Sequence, residues 1–176
     1  MEKINKIKKF FRNEKIDGYI VPKNDEFFGE YIPKFNDRLK YISDFTGSYG
    51  FAVILNNYNY LFVDGRYTLQ SSKQSGKFFN IKTVPKELPR TVLQKKNLKI
   101  GFDPKLFTRK TLNIFFGKSN CKFVPLANNL VDKIWIRGKN TVKNKFYALP
   151  QNSIGQNYKN KVNKLVSNLK RVGADF

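Results

Sequence analysis

The chain has no histidine at all, and one cysteine, one methionine and one tryptophan in 176 residues. Without imidazole there is no Ser-His-Asp triad and no Cys-His pair. Zinc sites built on histidine are excluded as well, and Cys121 alone can supply neither a thiolate cage nor an internal disulfide. Negative charge is scarce: 13 Asp and Glu face 34 Lys and Arg, for a formal charge of +21. The carboxylates are scattered along the sequence, and no local cluster announces a metal or acid–base pair. Long apolar runs are missing too. The longest, Phe51 to Leu55, is five residues, against the ~20 a membrane-spanning helix needs. The N-terminus is charged and amphipathic and carries no signal-peptide block, so a reduced, cytoplasmic setting is expected.

What is present suits a folded domain. Hydrophobic residues make up 40% and aromatics 15%, enough for a core and against disorder. The basic residues invite a nucleic-acid reading, but they are not concentrated: they recur from Lys3 to Arg171, with mild clusters at Lys6-Lys8-Lys9, Lys95-Lys96-Lys99 and Lys159-Lys161-Lys164. Lysine outnumbers arginine 27 to 7, and asparagine reaches 20. Base readers and phosphate clamps favour arginine. An excess of Lys, Asn, Ile, Phe and Tyr together fits drift in an AT-rich genome better than a selected polyanion surface.

Periodicity predicts a helix over 3–15 with Ile4, Ile7, Phe10 and Phe11 on its apolar stripe. A short strand Tyr19-Ile20-Val21 stops at Pro22, and a helical piece follows over 37–42. Phe51–Leu55 reads as a central strand, apolar on both faces. With Tyr58–Val63 it forms a hairpin across Asn56-Asn57. Helix 66–75, strand 79–84, helix 89–96, strand 99–102, helix 109–117 capped by Thr108, strand 121–124 and a helical turn 129–135 complete an α/β alternation. The fold class is therefore a mixed β-sheet with a hairpin, flanked by helices. Residues 137–157 have linker composition. Beyond them Val162, Leu165, Leu169 and Val172 make a second amphipathic helix, and 174–176 begin what reads as a strand. A shift of 158 residues lays Ile4-Asn5-Lys6-Ile7, Phe11 and Asp17 on Val162-Asn163-Lys164-Leu165, Leu169 and Asp175. This reads either as coincidence in a Lys/Asn-rich protein or as a duplication whose second copy breaks off.

Three constellations are candidate sites. Gly47-Ser48-Tyr49-Gly50 has phosphate-loop glycines, but it precedes a strand and is better read as a tight turn. Asp64-Gly65-Arg66-Tyr67 ends a strand and opens a helix. Capping explains Asp64 and a turn explains Gly65; Arg66 and Tyr67 are either plain surface or ligand-facing. Trp135 fits a packing anchor better than a base-stacking platform.

Taken in order, Ile16-Asp17-Gly18-Tyr19-Ile20-Val21-Pro22, Glu30-Tyr31-Ile32, Arg38 through Gly50, Asp64 through Gln70, Ile100-Gly101-Phe102-Asp103-Pro104 and Asn129 through Trp135 resemble the N-terminal domain of the Xaa-Pro aminopeptidases. The likeness is nearest the long, three-domain form and covers residues 3–138, and the tail resembles the opening of that form's second domain. It implies a creatinase/prolidase N-terminal domain with a ribonuclease-H-like core over 1–138, a linker over 139–157, and the truncated start of a similar domain over 158–176. It further implies that this chain is a non-catalytic portion that shapes the substrate site and subunit contacts. In the family, a separate C-terminal domain binds two divalent metal ions, usually manganese, and cleaves Xaa-Pro peptides. No cofactor is expected in this chain, and the implied partners are the catalytic and second domains and a homodimer mate. Arg66 corresponds to a substrate-contacting arginine, and Tyr49 stands where a smaller residue is usual. Competing readings are a basic nucleic-acid module or a stand-alone protein-interaction domain.

Overall fold

Ile4 and Ile7 sit one turn apart on α1 (Glu2–Lys8), and both are buried. The continuous helix expected over 3–15 is in fact two: α2 (Phe11–Glu14) follows a tight turn in which Phe10 N–H bonds Ile7 O at 3.0 Å. The reason is the pair Phe10-Phe11. Consecutive residues on one helix point about 100° apart, and the turn lets Phe11 enter the core while Phe10 packs at its margin. The structure, a computed structural model, describes residues 1–94, 97–137 and 145–174. The chain divides into two compact units, Met1–Lys139 and Asn140–Phe176.

In the first unit, β1 (Gly18–Pro22), β2 (Gly50–Leu55) and β3 (Asn59–Asp64) form an antiparallel meander. Beside it lie β4 (Asn80–Val84), parallel to β3, and β5 (Lys99–Phe102) and β6 (Lys122–Pro125), parallel to β1 and to each other. The sheet order is β4-β3-β2-β1-β5-β6. This is the mixed α/β sheet with a hairpin that the sequence predicts, and β3-β2-β1-β5-β6 is its ribonuclease-H-like core. Side chains alternate across the sheet with period two. Tyr19, Val21, Ala52, Ile54, Leu61 and Val63 face a core shared with α1, α2, α3 (Arg38–Ser43) and α7 (Leu130–Ile134). Ile20, Phe51, Val53, Leu55 and Phe62 face the opposite core, closed by α5 (Pro89–Val92) and α6 (Arg109–Phe116). Two covered faces explain why Phe51–Leu55 is apolar without alternation.

α4 (Thr68–Ser75) packs beside β3 and β4 and ends at Gly76. Thr108 caps α6 as expected, its hydroxyl accepting from Thr111 N–H at 3.1 Å. The helix expected over 89–96 is shorter. It stops at Val92 because Leu93 turns into the second core with its N–H on Pro89 O; Lys95 and Lys96 lie outside the described residues.

One charged group is sealed into the first unit. The Arg38 side chain is only 2% exposed. Its Nε and Nη2 donate to Asp132 Oδ1 and Oδ2 at 2.8 and 2.9 Å, and Nη2 also donates to Glu26 Oε1 at 2.7 Å. Arg137 pairs with the same Asp132. Burial works against the Arg38 charge, but these hydrogen bonds outweigh it and hold the proton more firmly than usual. Reciprocally, the Arg38 hydrogen bond draws the Glu26 carboxyl below its ordinary value of 4.5.

The second unit holds a 3-10 turn, Gln151–Ser153, and α8 (Tyr158–Arg171), capped by Asn157 and stopped at Gly173, whose φ is +68°. Of the strand expected at 174–176 only Ala174 is described, outside any strand. Ile4, Ile7 and Phe11 are 1, 0 and 3% exposed, whereas Val162 and Leu165 are 51 and 57% exposed.

Three outcomes follow from this arrangement. Asp132→Ala should lower stability to urea by about 3 kcal/mol, because it leaves a buried guanidinium short of its main partner; a change within 0.5 kcal/mol would contradict the assignment. The Glu26 contribution is present above the ordinary glutamate value and is lost as pH falls through its lowered folded pKa, so Glu26→Gln should flatten that part of the acid limb. α8, at 14 residues, is near the length at which unsupported helices are marginal. Its amides should exchange with deuterium far faster than those of β1 and β2, and equal protection would show that its apolar stripe is covered.

Candidate functional site

The site is built where β3 ends. Asp64 is the last strand residue, and its Oδ1 accepts from Arg66 N–H at 2.9 Å, capping the 3-10 turn Gly65–Tyr67. The same carboxylate takes the Arg66 side chain: Nη2 to Oδ2 is 2.7 Å, and Nε is 3.2 Å from both oxygens. The guanidinium thus has a fixed direction while its side chain remains 71% exposed. The Arg66 hydrogen bond pulls the Asp64 carboxyl below the usual carboxylate range, and Asp64 in turn raises Arg66.

The turn is tied to the preceding hairpin strand. Tyr67 OH and Ser48 Oγ lie 2.8 Å apart, a hydrogen bond that lowers the Tyr67 phenol. The Arg66 Cζ stands 5.2 Å from the centre of the Tyr67 ring, within cation–π range. Farther along, Thr46 N–H bonds Gln74 Oε1 at 3.0 Å, and Gln70 Nε2 bonds Thr46 Oγ1 at 2.8 Å. Gly47 is required here: a Cβ would collide with the Phe45 ring and come within 2.9 Å of Tyr67. The segment Gly47–Gly50 is a bend feeding β2, as its turn chemistry predicts, and its serine hydroxyl is engaged by Tyr67.

Next to this edge is a cavity of about 270 Å³. Its apolar lining is Phe51, Phe107 and Phe115; Ser48, Tyr49 and Thr111 lie around it. Phe51 and Phe115 stack with ring centres 4.3 Å apart. Burial pushes the Tyr49 phenol upward. The loop after β1 contributes Gly29 and Glu30 to the wall, and that loop is held by the Arg38–Glu26 bond.

The sequence reading placed Arg66 and Tyr67 at a strand end, and the structure brings them together with Ser48 and Tyr49. Trp135 lies elsewhere. It stacks on Tyr41 at 4.6 Å with Arg137 4.9 Å from its ring centre, a packing role. Arg38, Glu26 and Asp132 were given no role. Their only signal is an arginine beside Leu39 and Ile42, on the inward face of a helix. The cavity has no linear signature, since its walls come from four separate segments. The donor set does not fit a dinuclear metal centre. The sequence has no histidine, and among the described residues no three Cys, Asp or Glu converge.

Residues 3–134 match the family described as Creatinase/Prolidase N-terminal domain. A probable Xaa-Pro aminopeptidase P of Coprinopsis cinerea is 32% identical over 169 residues, covering 90% of this chain and 27% of the relative. One of Talaromyces marneffei is 34% identical over 143 residues, covering 76% of this chain and 22% of the relative. The chain thus spans roughly a quarter of these curated relatives. The X-prolyl aminopeptidase of Caenorhabditis elegans, described as a cytosolic enzyme with a di-nuclear active site, superposes with a TM-score of 0.78 at 25% identity, over 99% of this chain and 31% of that one. The N-terminal domain of the peptidase PepQ of Mycobacterium tuberculosis shares the fold, with a TM-score of 0.58 at 20% identity over 76% of this chain and 98% of that one. With residues 3–134, three quarters of its length, matched, the chain belongs to the Creatinase/Prolidase N-terminal domain family.

Proposed function

We propose that this chain is the non-catalytic N-terminal portion of a cytoplasmic Xaa-Pro aminopeptidase. Its role is to shape the substrate site and the subunit contacts of a homodimer, while two divalent metal ions, manganese by family habit, are bound by a domain outside these 176 residues. Residues 1–138 are the first domain, 139–157 a linker, and 158–176 the start of a second, similar domain. What supports the last point is the exposure of Val162, Leu165 and Val172 and the likeness to the worm enzyme across nearly the whole chain.

One observation carries the reading: Arg66 is an exposed, fixed guanidinium at the carboxyl end of a strand, with Nη1 outside the bonds to Asp64. A planar cation in that position suits a carbonyl or carboxylate oxygen of a bound peptide. It is a binding group and performs no bond cleavage. Cleavage needs an activated water and a polarised carbonyl, and among the described residues the carboxylates do not assemble a centre for either.

The purified chain incubated with manganese should not hydrolyse Xaa-Pro peptides; turnover by it would overturn the assignment of catalysis elsewhere. In a chimera with residues 1–176 in place of the matching stretch of the Caenorhabditis elegans enzyme, Arg66→Ala should lower kcat/KM by about 10- to 100-fold, the worth of one charge-assisted hydrogen bond. Unchanged kinetics would remove Arg66 from the substrate site.

A further inference from the structure

We propose that the cavity lined by Phe51, Phe107 and Phe115 is a side-chain pocket for an apolar residue on the carboxyl-terminal side of the substrate proline, with Arg66 holding that residue's backbone oxygens. This rests on the reading of Arg66 as a peptide-binding group and adds a preference to it.

Three observations lead there. The first is continuity. Ser48 lines the cavity and hydrogen-bonds Tyr67, the neighbour of Arg66. Gly50 pairs with Val63, so Tyr49 before the one and Asp64 after the other flank the same rung. Cavity and guanidinium therefore open on one edge of the sheet, beyond the carboxyl ends of β1 and β3, where ligands of open α/β sheets gather.

Size decides the occupant. Whole small-molecule sites run to about 300–1,000 Å³, and this cavity, at about 270 Å³, is below that range. It has room for one large side chain and not for a peptide. Its stacked aromatic lining offers apolar contact, and Thr111 and Ser48 add hydroxyls to the lining.

Hydrogen-bond polarity decides the direction. Asp64 offsets the charge of Arg66, but the guanidinium still presents only N–H donors, which suit oxygens and give a peptide's free ammonium no acceptor. The part of the substrate beside Arg66 is therefore the part after the proline, and the side chain entering the cavity belongs to it.

The test uses the isolated 15N-labelled chain and two probes, N-acetyl-Pro-Leu and N-acetyl-Pro-Gly, titrated by NMR. The leucine peptide should bind at least about tenfold more tightly, shift the amides of Ser48, Tyr49 and Thr111, and give contacts from its methyls to the Phe51 and Phe115 rings. Thr111→Phe should bring the ratio of the two affinities toward one. The methyl–ring contacts in the unaltered chain stand as a second measurement if that variant folds poorly. Arg66→Ala should weaken both peptides and keep their ratio. Equal affinities, methyl contacts elsewhere, or no binding of the leucine peptide at about 10 mM would overturn the pocket. A leucine preference that survives with Arg66→Ala harmless to both peptides would leave the pocket and remove the underlying reading of Arg66.

Discussion

The buried guanidinium of Arg38 joins three parts of the chain by hydrogen bonds. It lies on α3, it binds Asp132 of α7 through two parallel hydrogen bonds, and it binds Glu26 of the loop after β1. An arginine this deep is stable only if both carboxylates are present, because an unpaired charge in the interior costs several kcal/mol. The requirement runs in both directions. The loop must fold back for Glu26 to arrive, and the same loop supplies Gly29 and Glu30 to the cavity wall. A charge pair that contributes little net stability can still fix one conformation, and here it fixes the wall of a binding edge. Asp25 reinforces it, accepting from Phe27 N–H and from Asn36.

Much of the fold was legible in the sequence because it depends on local signals. The uninterrupted apolar run Phe51–Leu55 announces a strand covered on both faces. Asn56-Asn57 marks its hairpin, and Thr108 announces its helix as a cap. The misreadings come from competition between neighbours. Phe10 and Phe11 both seek apolar surroundings, and one straight helix cannot satisfy both, so the chain breaks between them. Leu93 enters the core as the closing residue of a single turn, where periodicity predicts another turn of helix. Such choices depend on what lies opposite in space, which a linear pattern does not hold.

The candidate site divides in the same way. Asp64 and Gly65 follow from turn chemistry, and Arg66 and Tyr67 from their place at a strand end. The link from Tyr67 to Ser48 joins residues 19 apart and depends on hairpin register. Arg38 and Asp132 are 94 apart, and the cavity draws on β1, its following loop, β2 and α6. These became visible only when the sheet brought the segments side by side.

On a chain of charge +21, one more cation on the surface carries no information. Most of the 34 Lys and Arg are lysines, which add to a diffuse positive field screened within about 8 Å in physiological salt. What separates Arg66 from them is restraint. Asp64 fixes two of its nitrogens and Tyr67 stands beside its plane. That arrangement gives up part of the long-range attraction, since the carboxylate offsets the charge. In return it lowers the side-chain entropy lost when a ligand arrives, which for a free Arg or Lys is about 2 kcal/mol. A surface meant to gather polyanions would favour the first property and leave its cations unpaired. A surface meant to hold one oxygen at one place favours the second, and the Asp64–Arg66 pair is built that way.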